Sequence, residues 1–278
     1  MIRIGTSGWV YPPWRGVFYP KGLPQRRELE YLSRAVSSVE INGSFYSLQR
    51  PEYYENWGAQ TPDDFEFAVK GSRFVTHLKR LRDIEIPLAN FLASGVLALR
   101  HKLGPILWQL PPNLQFDADV LRSFFAVLPR TTAAAASLAR KHDARVDGRT
   151  WTKPGRRGPL RHAIEPRHPS FSDPAFLSLA REYGIALVVA DTAGKFPYFE
   201  QVTADFVYIR LHGDVELYAS GYTPTALDNW AAKITEWSRR HDVYTYFDND
   251  MKVRAPFDAI ELAKRLHHPI GGPHPTTG

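Results

Sequence analysis

Five acidic or imidazole side chains, Glu40, Glu165, Asp191, His212 and Asp248, stand at or just past the ends of separate short apolar runs of this 278-residue chain. Such groups move protons: Glu165 or Asp191 can act as a general base and His212 as an acid. Three cations, Lys70, Arg167 and Arg210, lie at equivalent places, and Lys70 with Arg210 would form a clamp for an anion. His77 and His168, the amides Asn42, Gln109 and Asn249, and the aromatics Trp9, Tyr11, Tyr46 and Tyr218 follow the same runs and could bind a substrate. Carboxylates and imidazoles also suit a divalent metal. Here they come from five different runs, with no HxH or HExxH, so spacing lends a metal no support and no cofactor is evident. The absence of cysteine excludes thiolate ligands, thiol nucleophiles and disulfides. GTSGW holds a serine, Ser7, with nothing nearby in sequence to activate it, and no GxSxG elbow exists.

Each of these residues has a structural reading as well. Glu40 and Glu165 can be interior carboxylates that pair with Lys70 or Arg210, because buried charge must be paired whatever its purpose. His77 and His168 can be loop residues, and Asp191 and Asp248 can be turn formers.

The elements that must position these residues are eight β-type runs: Ile2–Gly5, Ser38–Ile41, Phe65–Val69, Gly104–Leu110, His162–Glu165, Ala186–Ala190, Phe206–Leu211 and Asp242–Phe247. Several are apolar throughout, as strands buried on both faces require. Helical patterns alternate with them. Asp173-Pro174 and Thr223-Pro224 place a capping residue before a first-turn proline, and Asp117 caps a segment carrying Val120, Leu121, Phe124, Phe125 and Leu128. Ile84 to Arg100 reads as one longer apolar helix, Phe257 to Leu266 closes the chain, and Asp191–Asp205 has room for a helix of one or two turns. The alternation predicts an α/β fold, a single (β/α)8 TIM-type barrel over 1–278, with a doubly wound sheet as competitor. In a barrel the polar strand ends converge on one rim. The opposite, N-terminal strand ends show no comparable set.

The net charge of +6 is local. Residues 131–170 hold nine Lys/Arg and three acids, and the remainder is balanced. Residues 131–160 read as a basic, partly mobile insertion, which in a barrel leaves from the face opposite the rim. It would be a peripheral polyanion contact or a solvated loop. No basic start with an apolar core marks a signal peptide, and the most apolar stretch is too short for a bilayer, so a cytoplasmic protein with no membrane contact is expected.

In order, IGTSGWVYPPWRGVFYP, SVEINGSFY, FAVKGSRFVTH, LGPILWQLPP, EPRHPSF, VVADT, VYIRLHG and VYTYFDND resemble the YecE-like family (domain of unknown function 72). The resemblance implies a TIM-barrel-like fold and no established reaction. Carried over motif by motif, it falls on Glu40, Asn42, Tyr46, Lys70, His77, Gln109, Pro111, Glu165, Arg167, His168, Asp191, Arg210, His212, Asp248 and Asn249. Pro166 stands where the family tends to have an aromatic residue, which affects how Arg167 and His168 are aimed. The cationic rim points to a phosphate-containing ligand, a small molecule or a nucleic acid, handled by a carboxylate/His hydrolase or lyase. The aromatic rim points alternatively to a sugar-directed or non-catalytic binding barrel.

Overall fold

In this computed structural model, residues 1–267 are described, and residues 268–278, the end of the domain read over 1–278, lie outside the described residues. Eight parallel strands close into a barrel in sequence order: β1 (Ile2–Ser7), β2 (Ser38–Ile41), β3 (Glu66–Lys70), β4 (Leu103–Gln109), β5 (His162–Glu165), β6 (Ala186–Asp191), β7 (Phe206–Leu211) and β8 (Asp242–Phe247). Pairing of Ile2–Thr6 with Val243–Phe247 closes the ring. The (β/α)8 barrel expected from the alternation is the observed fold.

Helices fill the crossovers: α1 (Glu28–Leu32), α2 (Gly43–Tyr46), α3 (Pro51–Ala59), α4 (Glu85–Ala93), α5 (Ala118–Val127), α6 (Thr132–Ala139), α7 (Pro174–Glu182), α8 (Pro224–Ser238) and α9 (Ala255–Arg265). The three expected caps are present. Asp117 accepts from Asp119 N and Val120 N at 3.1 Å, Asp173 from Ala175 N at 2.8 Å and Thr223 from Ala226 N at 3.2 Å.

The strand period of two sorts the core. Ala68, Leu107, Ala163, Ala186, Val188, Phe206, Tyr208, Tyr244 and Tyr246 form one cluster, which fills the barrel. The alternate residues Val39, Phe67, Val69, Ile106, Trp108, Ile164, Val207 and Ile209 join the larger cluster beneath the helices. Continuing the inward parity by one step gives Ser7, Glu40, Lys70, Gln109, Glu165, Arg210 and Asp248 as the topmost layer. Gly5 lies on that inward series, and a Cβ there would stand 1.8 Å from the Ser38 carbonyl oxygen. Only glycine lets β1 and β2 approach this closely.

Three expectations are corrected. Ile84 to Arg100 is not one helix. It breaks after Ala93 at Gly95 (φ 118°), and a short 3-10 stretch, Val96–Lys102, follows. Gly95 lies against Pro51, the first residue of α3, where a Cβ would meet its Cα at 2.6 Å. The stretch is apolar all round because both pieces are buried, not because one helix is long. Second, the room for a helix in Asp191–Asp205 is not used: Asp191 ends β6, and turns and irregular chain follow. Thr203 anchors them, accepting from Leu187 N at 2.8 Å and donating to Ile185 O at 2.6 Å. Third, the N-terminal strand ends do carry a polar set. Arg3 pairs with Glu66 at 3.0 Å, Arg161 bridges Asp242 at 2.7 Å and Asp205 at 2.8 Å, and the chain's amino group meets Asp242 at 3.0 Å.

Residues 131–160 begin as helix α6, capped by Thr131 and burying Ala135, Ala136 and Ala139. Backbone bonds Thr132 N to Gly158 O (3.1 Å), Leu160 N to Arg130 O (2.9 Å) and Trp151 N to Ala93 O (2.8 Å) tie the rest down. Arg156 and Pro159 line a 240 Å³ cavity with Met1, Glu66 and Asp242. The basic block therefore runs along the outside of the barrel, from Lys141 beside Glu85 and Arg145 beside Phe74, just past the end of β3, to Arg156 and Arg161 at the end opposite the rim. Among the described residues no helix is long and apolar enough to cross a membrane.

Candidate functional site

The centre of the top layer is Arg210. Its side chain has no solvent exposure, so each of its N–H groups needs a protein acceptor. Nε and Nη2 grip Glu40 as a fork, at 3.1 Å to Oε2 and 2.9 Å to Oε1. Nη1 donates to Glu165 Oε2 at 2.8 Å, and Nη2 also reaches Asp248 Oδ2 and Ser7 Oγ, each at 2.9 Å. The β-ladder registers explain the convergence: Ser7 is level with Glu40, and Gln109 with Glu165.

Glu40 and Glu165 are further held. Tyr208 donates to Glu40 at 2.6 Å, and Ser7 Oγ makes a very short bond to the same group. Ser7 thus does have a carboxylate beside it, but that hydroxyl also accepts from Asn42 at 3.0 Å and from Arg210. Gln109 Nε2 lies 3.0 Å from both Glu165 oxygens, and Arg167 Nε donates to Glu165 Oε1 at 3.0 Å. Burial opposes ionisation of Glu165 and Asp248. Arg210, acting together with Arg167 and His212 at Glu165 and with His212 at Asp248, outweighs it and holds both carboxyls well below the usual range. Such carboxylates are weak bases at neutral pH. His212 is fully buried, with Nε2 3.3 Å from Arg210 and Nδ1 3.0 Å from Asp248 but off the hydrogen-bond direction.

Above this floor lies a cleft of about 700 Å³. Of the residues singled out in the sequence, Tyr11, Asn42, Tyr46, Lys70, His77, Gln109, Arg167, Tyr218 and Asp248 line it. Glu40, Glu165, Arg210 and His212 lie beneath it. The remaining four are off the cleft. Trp9 packs edge-on against Trp57 in a separate groove with Tyr53. Asp191 accepts from Tyr222 at 3.1 Å. His168 turns away beyond Pro166 and caps the short turn Pro169–Ser172. Asn249 is buried, bonding Ser220 O and Asp258. An expected clamp of Lys70 with Arg210 is not assembled, because Arg210 faces its own carboxylates.

Phe45, Arg73, Leu78 and Asp250 complete the lining. Sequence reasoning passed over Asp250 and Arg73 as site residues, although each lies two or three positions beyond one that was chosen. A larger cleft, 890 Å³, lies between Leu81–Ile86 and Asp117–Val127 and includes no strand residue.

Asp250, Lys70 and His77, all on the cleft, depart from their ordinary titration. Burial, with Asp248 adding to it, raises the Asp250 carboxyl to about 6. Burial, with Arg210 adding to it, lowers the Lys70 ammonium to about 8. Burial and the neighbouring Lys70, Arg167 and Arg73 lower His77 to about 4, and its Nδ1 lies 2.9 Å from Thr76 Oγ1. Arg167 leans on Phe196 at 4.6 Å and reaches Tyr218 Oη at 3.3 Å.

Among the described residues no group of three or more His, Asp or Glu could hold a metal ion. Glu40, Glu165 and Asp248 do converge, but on the guanidinium, which takes the central position a cation would need.

A family model described as "Protein of unknown function DUF72" matches residues 3–277. The chain belongs to this family. DUF72 membership agrees with the YecE-like motifs. The UPF0759 protein YecE of Escherichia coli K12 is 32% identical over 111 residues, 40% of this chain and 38% of that protein, so the match spans well under half of that relative. A solved DUF72 family protein from Thermotoga maritima MSB8 is 26% identical with a TM-score of 0.76, over 96% of this chain and all of that one. A sugar phosphate isomerase/epimerase from Parabacteroides distasonis, 11% identical with a TM-score of 0.50 over 97% of each chain, shares the fold alone.

Proposed function

We propose that the cleft binds a small phosphate-containing ligand and holds it beside groups able to exchange protons. One observation carries this reading. Arg210 and Arg167 are committed to carboxylates, whereas Lys70 and Arg73 face the cleft with no carboxylate or hydrogen-bond partner among the described residues. A cationic wall without internal anions awaits an external one. The opposite wall is acidic, with Asp248 and Asp250, and suits ligand hydroxyls. Asp250, near 6, and Lys70, near 8, bracket neutral pH as an acid–base pair should.

A small ligand is favoured over a nucleic-acid strand. None of the basic residues of 140–161 lines the cleft, and the acidic wall would repel a polyphosphate track. Titration calorimetry with inorganic phosphate, ribose 5-phosphate and a single-stranded oligonucleotide tests this. Phosphate and the ester should bind, the ester more tightly, and Arg73→Ala should weaken both by about tenfold. Tighter oligonucleotide binding with a steep salt dependence, unaffected by Arg73→Ala, would overturn the reading.

A further inference from the structure

Lys70 differs from Arg73 in a way that phosphate binding does not use. Arg73 is exposed at the mouth and carries permanent charge. Lys70 ends β3 on the floor, only 8% exposed. Its Nζ lies 4.5 Å from the centroid of the Phe45 ring and makes no hydrogen bond or ion pair among the described residues. The other buried lysine, Lys102, is tied to Gly58 O at 2.6 Å and Thr61 O at 2.8 Å. A buried amine held against an aromatic face, open on one side to a cleft, is a group whose lone pair is available.

We propose that Lys70 is a carbonyl-reactive amine that forms an imine with an aldehyde or ketone group of the bound ligand. The neutral amine adds to the carbonyl carbon. A C–N bond forms, the C=O pair moves to oxygen, and the nitrogen's proton passes to that oxygen. Loss of the oxygen as water, with a second proton drawn from the nitrogen, leaves C=N. Amine plus carbonyl gives imine plus water, with nothing oxidised or reduced. Asp250, on the same cleft and half-protonated near pH 6, is placed to carry these protons. The surroundings favour the uncharged amine. Burial comes first, and Arg210 behind it, while Glu40, Asp248 and Glu165 oppose but are already shared with guanidinium groups. His77, Arg73 and Arg167 also face this space.

The assignment rests on the phosphate reading in one respect: Arg73 at the mouth would hold the anionic end, leaving the carbonyl for Lys70. The test uses pyridoxal 5′-phosphate as a phosphorylated aldehyde and pyridoxal as its uncharged counterpart. The intact protein is treated at pH 7.5 with less than one equivalent, reduced with cyanoborohydride and mapped by peptide mass spectrometry. Lys70 should be labelled on the order of 10-fold faster than any exposed lysine, with its rate levelling off above pH 8 while theirs still climbs. Lys70→Arg should lose this label only. Labels spread over surface lysines with Lys70 unmodified would overturn the proposal in the native protein itself, whether or not any variant folds. Arg73→Ala and competing inorganic phosphate separate the two readings. If they slow pyridoxal phosphate but not pyridoxal, both stand. If Lys70 reacts equally with both aldehydes and ignores Arg73→Ala, the imine stands and the phosphate reading falls.

Discussion

Arg210 and Lys70 reach the same interior layer and meet opposite fates. Arg210 is surrounded by three carboxylates, and Lys70 by an aromatic ring and a cavity. Removing the guanidinium leaves Glu40 and Glu165 buried without their main cation. Arg210→Met should therefore destabilise the fold by about 3–5 kcal/mol, measured by urea unfolding, and a loss under 1 kcal/mol would refute the pairing. Arg210→Lys should not rescue it, since an ammonium cannot make the fork to Glu40. Lys70 should behave in the opposite sense. Its native value of about 8 lies below the ordinary value near 10.4, so between these the unfolded chain binds more protons and stability rises with pH. Below pH 8 the full penalty is present. Lys70→Met should thus stabilise the protein by roughly 1–3 kcal/mol at pH 7, with the gain fading toward pH 10. Equal stability of the two proteins at pH 7 would show that the amine costs nothing where it is.

At the scale of elements, the strands were legible because each is a short apolar or alternating run closed by polar residues, and the inward parity follows from the pleat. The floor residues were legible for the same reason. What no local pattern reveals is which inward cation takes the carboxylates, because Glu40 and Glu165 meet Arg210 across the barrel rather than along the chain. Asp250 and Arg73 lie past the strand ends, where periodicity no longer says which way a side chain points. The break in Ile84–Arg100 was hidden too. Gly95 matters because Pro51, 44 positions earlier, passes against it. Gly95→Ala should cost about 1–3 kcal/mol by thermal unfolding, from the positive φ and the clash together. A neutral result would mean that the break does not depend on glycine.

For the whole molecule, the excess charge lies outside the barrel. The basic block runs along its flank to the N-terminal strand ends, and the rim cleft balances cations against acids. Lys153, Arg156 and Arg157 are exposed. Replacing all three by alanine should leave phosphate binding at the cleft within about twofold and the melting temperature within about 2 °C, while weakening retention on a polyanion column. A large loss of phosphate affinity would relocate the ligand to that end. The single guanidinium at the barrel's centre also has a consequence for how such a chain can change over generations. Any one replacement among Ser7, Glu40, Glu165, Arg210 and Asp248 takes a partner from a group of this buried cluster. Related sequences should therefore keep or exchange these five as a block, and lineages that altered only one of them should be rare.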